Sequence, residues 1–235
     1  MNQLEVLVSI QPDWVAKIAN LLKEYEVRKT RPRIKPPFKC LIYCTNTPEH
    51  HHLYNLTPYN NGQRLFSVVQ HNKQSLVPKG YLNGKVVGEF ICDKIIRYNC
   101  DKDFDEYFVA GYVGAYMPLK EMCLTNKDLM EYGRGKPLYG WHISNLVIYD
   151  TPLELSSFYK RLKYDNVDGA KVVHCGHYLD TESVNFCEIN TQGDCSLEGC
   201  PELRKLYQIK TPPQSWCYIS KTKETNYEKM RRLYN

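Results

Sequence analysis

The sequence lacks the features that would place the protein in a membrane or outside the cell. No apolar run approaches the roughly 20 residues that a membrane-spanning helix needs. The N-terminal segment, MNQLEVLVSIQPDW, has no basic start, no continuous apolar stretch and no small-residue cleavage site, so it does not fit a secretory signal. Low-complexity tracts are also absent, and the hydrophobic fraction of 43% in 235 residues is enough to bury a core. We therefore expect a cytoplasmic, globular protein.

Cysteine is abundant, with ten residues, but a cytoplasmic setting argues against disulfide bonds. Cys40, Cys44 and Cys92 lie in apolar runs, where a thiol behaves as a small hydrophobic group. A second set lies in a polar loop and near the C-terminal end, and four thiolates of this kind can close a tetrahedral structural zinc site. The candidate zinc ligands are Cys187, Cys195, Cys200 and Cys217. Their spacing matches no standard zinc motif, so unliganded thiols stay an alternative.

Positive charge is concentrated in one short segment, although the net charge is only +5. Residues 28–39 contain six basic residues and no acidic residue. Prolines 32, 36 and 37 keep this segment extended rather than helical. An extended basic arm suits contact with a polyanion backbone, and a solvated loop is the alternative. The candidate nucleic-acid contacts are Arg28, Lys29, Arg31, Arg33 and Lys35, together with His142 from a later strand.

Hydrophobic periodicity predicts more strands than helices. Strands are predicted over 4–11, 25–28, 38–45, 84–97 and 139–150 and at QSWCYIS near the end, with Gly88 marking a bulge or a close backbone approach. Helices are predicted after Pro12, with Leu21 facing the core, at 126–132 with a Thr125 or Asn126 cap, and briefly after Pro152. Residues 46–83 are predicted to be an insertion around one short apolar run, LFSVV, and His50–His52 within it are predicted to lie in a polar loop, with a metal site as the alternative. Because strands do not alternate strictly with helices, a mixed α+β fold is favoured over a doubly wound sheet.

Four separated motifs resemble one known family. The opening VLVSIQPDWVAKIANLLKEYEVRKTRP, the strand GKVVGEFICDKI, the block from CLTNKDLMEYG to YDTPLELSSF, and the closing TPPQSWCYI are similar to ASCH domains of the PUA-like superfamily, particularly those of phages and prophages. The sequence departs from the pattern at Leu22, where a glycine is usual, and in its long insertion. The resemblance implies a PUA-like mixed pseudo-β-barrel with flanking helices over residues 1–220. Within this domain we expect an insertion at about 46–83 and a cysteine-bearing loop at about 187–200, and a basic tail follows at 221–235.

The resemblance also implies a functional cleft. Family members are mostly RNA-binding modules, while one branch removes the acetyl group from N4-acetylcytidine and another cleaves RNA. Matching the deacetylating branch by motif gives the candidate catalytic residues Lys23, Glu26 and Glu89. Glu26 stands where that branch has a threonine, which removes its hydroxyl and weakens the expectation of the same reaction.

The residue types themselves allow this chemistry. Two nearby carboxylates raise the pKa of one of them, and a lysine in a partly dry cleft can act as a base or nucleophile. The alternative is a cross-strand cluster of ion pairs with a purely structural role.

The sequence thus supports three hypotheses. The first is a module that binds RNA or a modified nucleoside in a basic cleft. The second is a small amidohydrolase or ribonuclease that uses a Lys/Glu/Glu set. The third is a phage protein that binds a host factor. The sequence does not decide the oligomeric state.

Overall fold

The structure is a computed structural model that describes residues 4–47, 51–56, 64–70, 80–111, 117–167, 170–173 and 201–220. The strands are β1 Glu5–Ile10, β2 Tyr25–Arg28, β3 Phe38–Cys44, β4 His51–Asn55, β5 Phe66–Gln70, β6 Lys85–Cys92, β7 Ile95–Asp101, β8 Glu106–Val109, β9 Leu138–His142, β10 Ser144–Glu154, β11 Tyr159–Lys160, β12 Tyr164–Val167, β13 Ala170–Val173 and β14 Trp216–Ser220. The helices are α1 Pro12–Ala19, α2 Leu119–Met122, α3 Asn126–Gly133 and α4 Pro201–Tyr207, with a 3-10 turn at Leu155–Ser157.

A six-stranded sheet forms the centre of the molecule, in the order β10-β6-β3-β1-β14-β11. Its inner strands β1 and β3 pair in parallel, and the other neighbours pair antiparallel. Strands buried on both faces read as continuous apolar runs, as VLVSI and FKCLIYC do here. The predicted strands at 4–11, 38–45 and QSWCYIS are therefore confirmed, with boundary differences of a few residues.

A four-stranded sheet, in the order β2-β9-β7-β8, packs beside the first. Two chain segments pass directly from one sheet into the other, from β6 to β7 at Asp93–Lys94 and from β9 to β10 at Ile143. The predictions of one strand over 84–97 and one over 139–150 are wrong on this point. Neither turn contains glycine or proline, and the charged pair Asp93–Lys94 is also compatible with an exposed stretch of one continuous strand, so no strong turn signal marked either break.

The main core lies between these two sheets. Trp141 of β9 is fully buried and makes edge-on ring contacts with Phe38 of β3 at 6.1 Å and with Trp216 of β14 at 6.0 Å between centroids. Buried aromatic side chains supply large contact areas, so this ring group accounts for much of the attraction between the sheets. A second apolar cluster, which includes Leu7, Leu41 and Ile219, covers the opposite face of the six-stranded sheet.

Two of the three predicted helices, α1 and α3, begin where the sequence predicts. Pro12 starts α1 at the favourable first position, and Thr125 caps α3 through a reciprocal capping box with Asp128. The prediction for Leu21 is wrong, because α1 ends at Ala19 and Leu21 lies in a left-handed turn with 75% of its surface exposed. The helix predicted after Pro152 is a continuation of β10 followed by one 3-10 turn. Helices α2 and α4 are short and were not predicted.

The 46–83 segment contains a hairpin that packs on α1. Its strands β4 and β5 pair antiparallel, with Leu53 and Phe66 buried in the main core. Asn83 holds the hairpin by accepting a hydrogen bond from Leu53 N at 2.8 Å and donating to His51 O at 2.8 Å. The prediction of a polar loop is thus wrong at His51 and His52, because the long-range contact of Asn83 and the buried Leu53 order strand β4 there.

The architecture is strand-rich with few helices and mixed sheets, which confirms the α+β class. Within the described residues the neighbours of both larger sheets form open series, and no closed barrel is found. The PUA-like pseudo-barrel and the proposed domain boundaries stay predictions. No helix in the described part of the chain has the length and apolarity to cross a bilayer.

Candidate functional site

Three charged side chains meet in the space between the two sheets, at the turn from α1 into β2. Arg28 Nη2 lies 2.9 Å from Glu26 Oε1, and Lys23 Nζ lies 3.9 Å from Glu26 Oε2. Glu26 and Arg28 share one face of β2 because side chains alternate along a strand. We call Lys23, Glu26 and Arg28 the inter-sheet cluster; their exposed fractions are 3%, 6% and 8%.

Lys23 is held by groups from two other elements. Its ammonium donates to Met122 O at 2.7 Å and lies 4.8 Å from the centroid of the Trp14 ring. Burial lowers the pKa of Lys23, while the nearby Glu26 carboxylate acts in the opposite direction. A buried amine with a lowered pKa is closer to proton exchange at neutral pH than an exposed lysine is.

Arg28 anchors the cluster to the six-stranded sheet. Its Nη2 donates to Ser9 O at 2.6 Å, and its Nη1 donates to Ser215 Oγ at 3.4 Å. Sequence reasoning missed Ser9 and Ser215, which lie 19 and 187 residues from Arg28, since nothing local marks a backbone carbonyl or a serine as the partner of a distant arginine. Ser215 does lie inside the closing TPPQSWCYI motif, which was the available signal.

Two donors next to the cluster are unsatisfied. Arg28 Nε and Trp141 Nε1 are buried and have no hydrogen-bond partner among the residues that the structure describes. Both side chains project from the same face of the four-stranded sheet, because Trp141 pairs with Glu26 across β9 and β2. Buried donors normally have a partner, so these atoms favour an acceptor from a ligand or a bound water.

Glu89 lies on the other face of the six-stranded sheet. It pairs with Leu41, a residue of the second apolar cluster, and its carboxylate accepts from Tyr149 Oη at 2.8 Å. Lys39 Nζ lies 3.1 Å from both Glu89 oxygens. The structure therefore brings Lys23 and Glu26 together but places Glu89 in a separate ion pair with the half-buried Lys39, so the three do not line one pocket.

The basic segment forms an ordered ridge on the protein surface. Pro32 is buried and Ile34 packs against the main core, which turns the intervening cations outward. We call residues 29–37 the basic ridge. Its exposed cations are Lys29, Arg31, Arg33 and Lys35.

Aromatic side chains border this ridge. Lys29 Nζ lies 4.7 Å from the Tyr132 ring centroid, and the Arg31 guanidinium lies 5.9 Å from that of Tyr139. The backbone N–H of Arg33 donates to Tyr218 Oη at 2.7 Å. These contacts hold the cations in place before any ligand arrives, which lowers the entropy cost of binding.

His142 is not part of the inter-sheet cluster. Its Nδ1 lies 2.6 Å from Asp93 Oδ1, and its ring lies 5.0 Å from that of Tyr25. Because Tyr25 and Glu26 are adjacent in β2, His142 lies on the opposite face of the four-stranded sheet. A role in nucleic-acid contact stays a prediction for His142, at a place separate from the cluster.

The cysteine predictions divide by location. Cys40, Cys44 and Cys92 are buried free thiols, as predicted, and burial raises the pKa of Cys92 to about 12. Cys217 is a half-buried free thiol in β14, and burial raises its pKa as well. The other candidate zinc ligands lie outside the described residues: Cys187, Cys195 and Cys200. Among the described residues no group of three or more potential ligands forms a metal site, and the zinc site stays a prediction.

Comparison with known proteins found similar structures. No protein-family model matches the chain, and no curated protein matches it. The chain is similar to the crystal structure of ASCH from Zymomonas mobilis, with 14% identity and a TM-score of 0.42 over 98% of this chain and 93% of that chain. A Tyr-to-Phe mutant of the same protein gives 14% identity and a TM-score of 0.39 over 98% and 96% of the two chains. At these scores the likeness carries no argument about function, and the proposals below rest on the residues of this chain.

Proposed function

We propose that this protein binds RNA or a modified nucleoside, with the basic ridge contacting phosphates and the inter-sheet cluster receiving a polar group of a base. The observation that carries the proposal is the ordered ridge, in which an apolar inner side fixes four outward cations over residues 29–35. A solvated loop would need neither the buried Pro32 nor the packed Ile34.

Charge supports a polyanion as the partner. No acidic residue interrupts residues 28–39, so the ridge presents an unbroken positive potential. Phosphate binding to such a surface releases counterions, which makes the affinity strongly salt-dependent. The nearby cluster adds two buried donors, Arg28 Nε and Trp141 Nε1, that suit the carbonyl or ring-nitrogen acceptors of a base.

The test compares two variants that each remove three positive charges. One carries Arg31→Gln, Arg33→Gln and Lys35→Gln in the ridge. The matched control replaces three exposed lysines elsewhere with Gln in the same way, at Lys102, Lys120 and Lys127.

We expect the ridge variant to bind single-stranded RNA more weakly and to reduce the slope of log affinity against log salt by about 2, since each phosphate that the protein neutralises adds roughly 0.7 to that slope. The control variant should keep the wild-type slope. Equal affinity and slope for both variants would contradict the ridge as the binding surface.

A second candidate function is hydrolysis of an acylated nucleoside or RNA by Lys23 and Glu26. The position of buried Lys23 beside the Glu26 carboxylate favours it, together with its lowered pKa, because an amine that gives up its proton more easily can act as a base towards water. Glu89 has no place in this version, since it lies on the other face of the sheet. Turnover of N4-acetylcytidine or RNA should then be abolished in Lys23→Met and kept in Glu89→Gln. No turnover of either substrate by the wild type would reject the enzyme hypothesis.

A further inference from the structure

Two aromatic side chains of β14 form a partly exposed row beside the inter-sheet cluster. Trp216 and Tyr218 project to the same side of the strand, whereas Cys217 and Ile219 project into the second apolar cluster. Their rings meet edge to face at 5.4 Å between centroids, and both are half-buried. We call Trp216 and Tyr218 the β14 aromatic row.

The basic ridge holds the polar ends of both rings. Trp216 Nε1 donates to Thr30 Oγ1 at 3.0 Å, and Tyr218 Oη accepts from the backbone N–H of Arg33 at 2.7 Å. These hydrogen bonds fix the ring orientations, and the side chain of Thr30 and those of the ridge cations remain exposed next to them. The row is therefore a rigid aromatic surface with one cationic margin.

A second cationic margin comes from Arg161, which follows β11. Its guanidinium lies 6.0 Å from the Tyr218 ring centroid, its backbone N–H donates to Tyr218 O at 3.2 Å, and its side chain is exposed. The aromatic row thus lies between positive charge on the ridge side and positive charge from Arg161. Aromatic rings between cationic margins are the usual features of a surface that binds single-stranded nucleic acid.

We propose that unpaired bases of a single-stranded nucleic acid stack on the β14 aromatic row while its phosphates contact Arg161 and the ridge. This inference rests on the proposed function and specifies its substrate as single-stranded, because only unpaired bases can offer their faces to protein rings. The row begins one residue after Ser215, which bonds Arg28. The Trp216 end of the row is therefore the end nearer to the inter-sheet cluster.

The test measures affinity for three probes: a single-stranded RNA oligomer, an abasic oligomer of the same length, and inorganic polyphosphate. The variants are Tyr218→Leu, which removes the ring, and Tyr218→Phe, which keeps the ring and removes only the hydroxyl. Tyr218→Leu should weaken RNA binding by about 5- to 150-fold, as expected when one base no longer stacks, and leave the affinity for polyphosphate unchanged. Tyr218→Phe should bind RNA within about threefold of the wild type.

A second variant guards against misfolding. Arg161→Gln changes an exposed side chain, so the melting temperature should stay at the wild-type value while RNA affinity falls by a few fold. Stacking should also quench the fluorescence of the wild-type protein, and Trp216→Phe should abolish most of that quenching.

The outcomes separate the two proposals. If the protein binds all three probes, and binds the normal and the abasic oligomer with equal affinity, then stacking on the row is overturned. The proposed polyanion binding would stay intact. Unchanged RNA affinity in both Tyr218→Leu and Arg161→Gln would overturn stacking in the same way. Absence of binding to all three probes would overturn both proposals.

Discussion

Replacing Glu26 with Gln removes the negative charge that lies between two buried cations. In the native protein the carboxylate of Glu26 faces Arg28 Nη2 at 2.9 Å and Lys23 Nζ at 3.9 Å. The substitution keeps the shape of the side chain but leaves both cations without this counter-charge. Arg28 keeps its bonds to Ser9 and Ser215, and Lys23 keeps its bond to Met122 O.

The magnitude follows from the burial of all three groups. Removing one partner of a buried ion pair costs about 3–5 kcal/mol, because the remaining charge is not compensated. Lys23 can relieve part of this cost by releasing its proton, so we expect the low end, about 3 kcal/mol. For a chain of 235 residues this corresponds to a fall in melting temperature of roughly 10 °C.

Thermal unfolding followed by circular dichroism measures this effect, with Glu24→Gln as the matched control. Glu24 lies two residues before Glu26 and is exposed, so its substitution should change stability by no more than about 0.5 kcal/mol. Adding Lys23→Met to Glu26→Gln should restore part of the stability by removing one uncompensated charge. If Glu26→Gln melts within about 2 °C of the control, the cluster is not an energetically coupled buried group and the reasoning fails.

Two further predictions concern pH and packing. Because burial lowers the pKa of Lys23 below 10.5, the unfolded chain binds a proton that the native protein lacks between the lowered value and 10.5. Stability of the wild type should therefore rise with pH across that window relative to Lys23→Met, and parallel pH profiles from chemical denaturation would contradict the shift. Gly88→Ala should destabilise the protein by about 1–3 kcal/mol in urea unfolding, because the new Cβ would lie 2.5 Å from Val147 O. If Gly88→Ala unfolds at the same urea midpoint as the wild type, β6 and β10 can move apart without cost and the prediction is wrong.

Features set by local chemistry could be predicted from the sequence. The apolar runs of β1 and β3, the proline at the start of α1 and the Thr125 cap each depend on neighbours within a few residues. Gly88 belongs to the same group, since the pairing of Ile42 with Gly88 and of Tyr43 with Val86 leaves one extra residue in β6, the bulge that the glycine indicated.

The inter-sheet cluster could be predicted only in part. Alternation along β2 placed Glu26 and Arg28 on one face, and this is confirmed by their ion pair. The partners of that pair come from residues far along the chain, including Ser9 and Ser215, and long-range strand pairing selects them.

The position of Glu89 was decided by the tertiary structure. The motif placed it on the central strand, but strand periodicity does not say which face of a sheet meets a second sheet. The register of β6 against β3 puts Glu89 beside Leu41, on the face away from Lys23 and Glu26. The sequence by itself determined the apolar strands β1 and β3, the Thr125 cap, the bulge at Gly88 and the run of cations in residues 28–39, because those depend on local conformation and charge. The tertiary structure alone decided which side chains meet between the two sheets. The packing of Trp141 and its neighbours joins residues that are distant in the chain, and no local pattern reports such contacts.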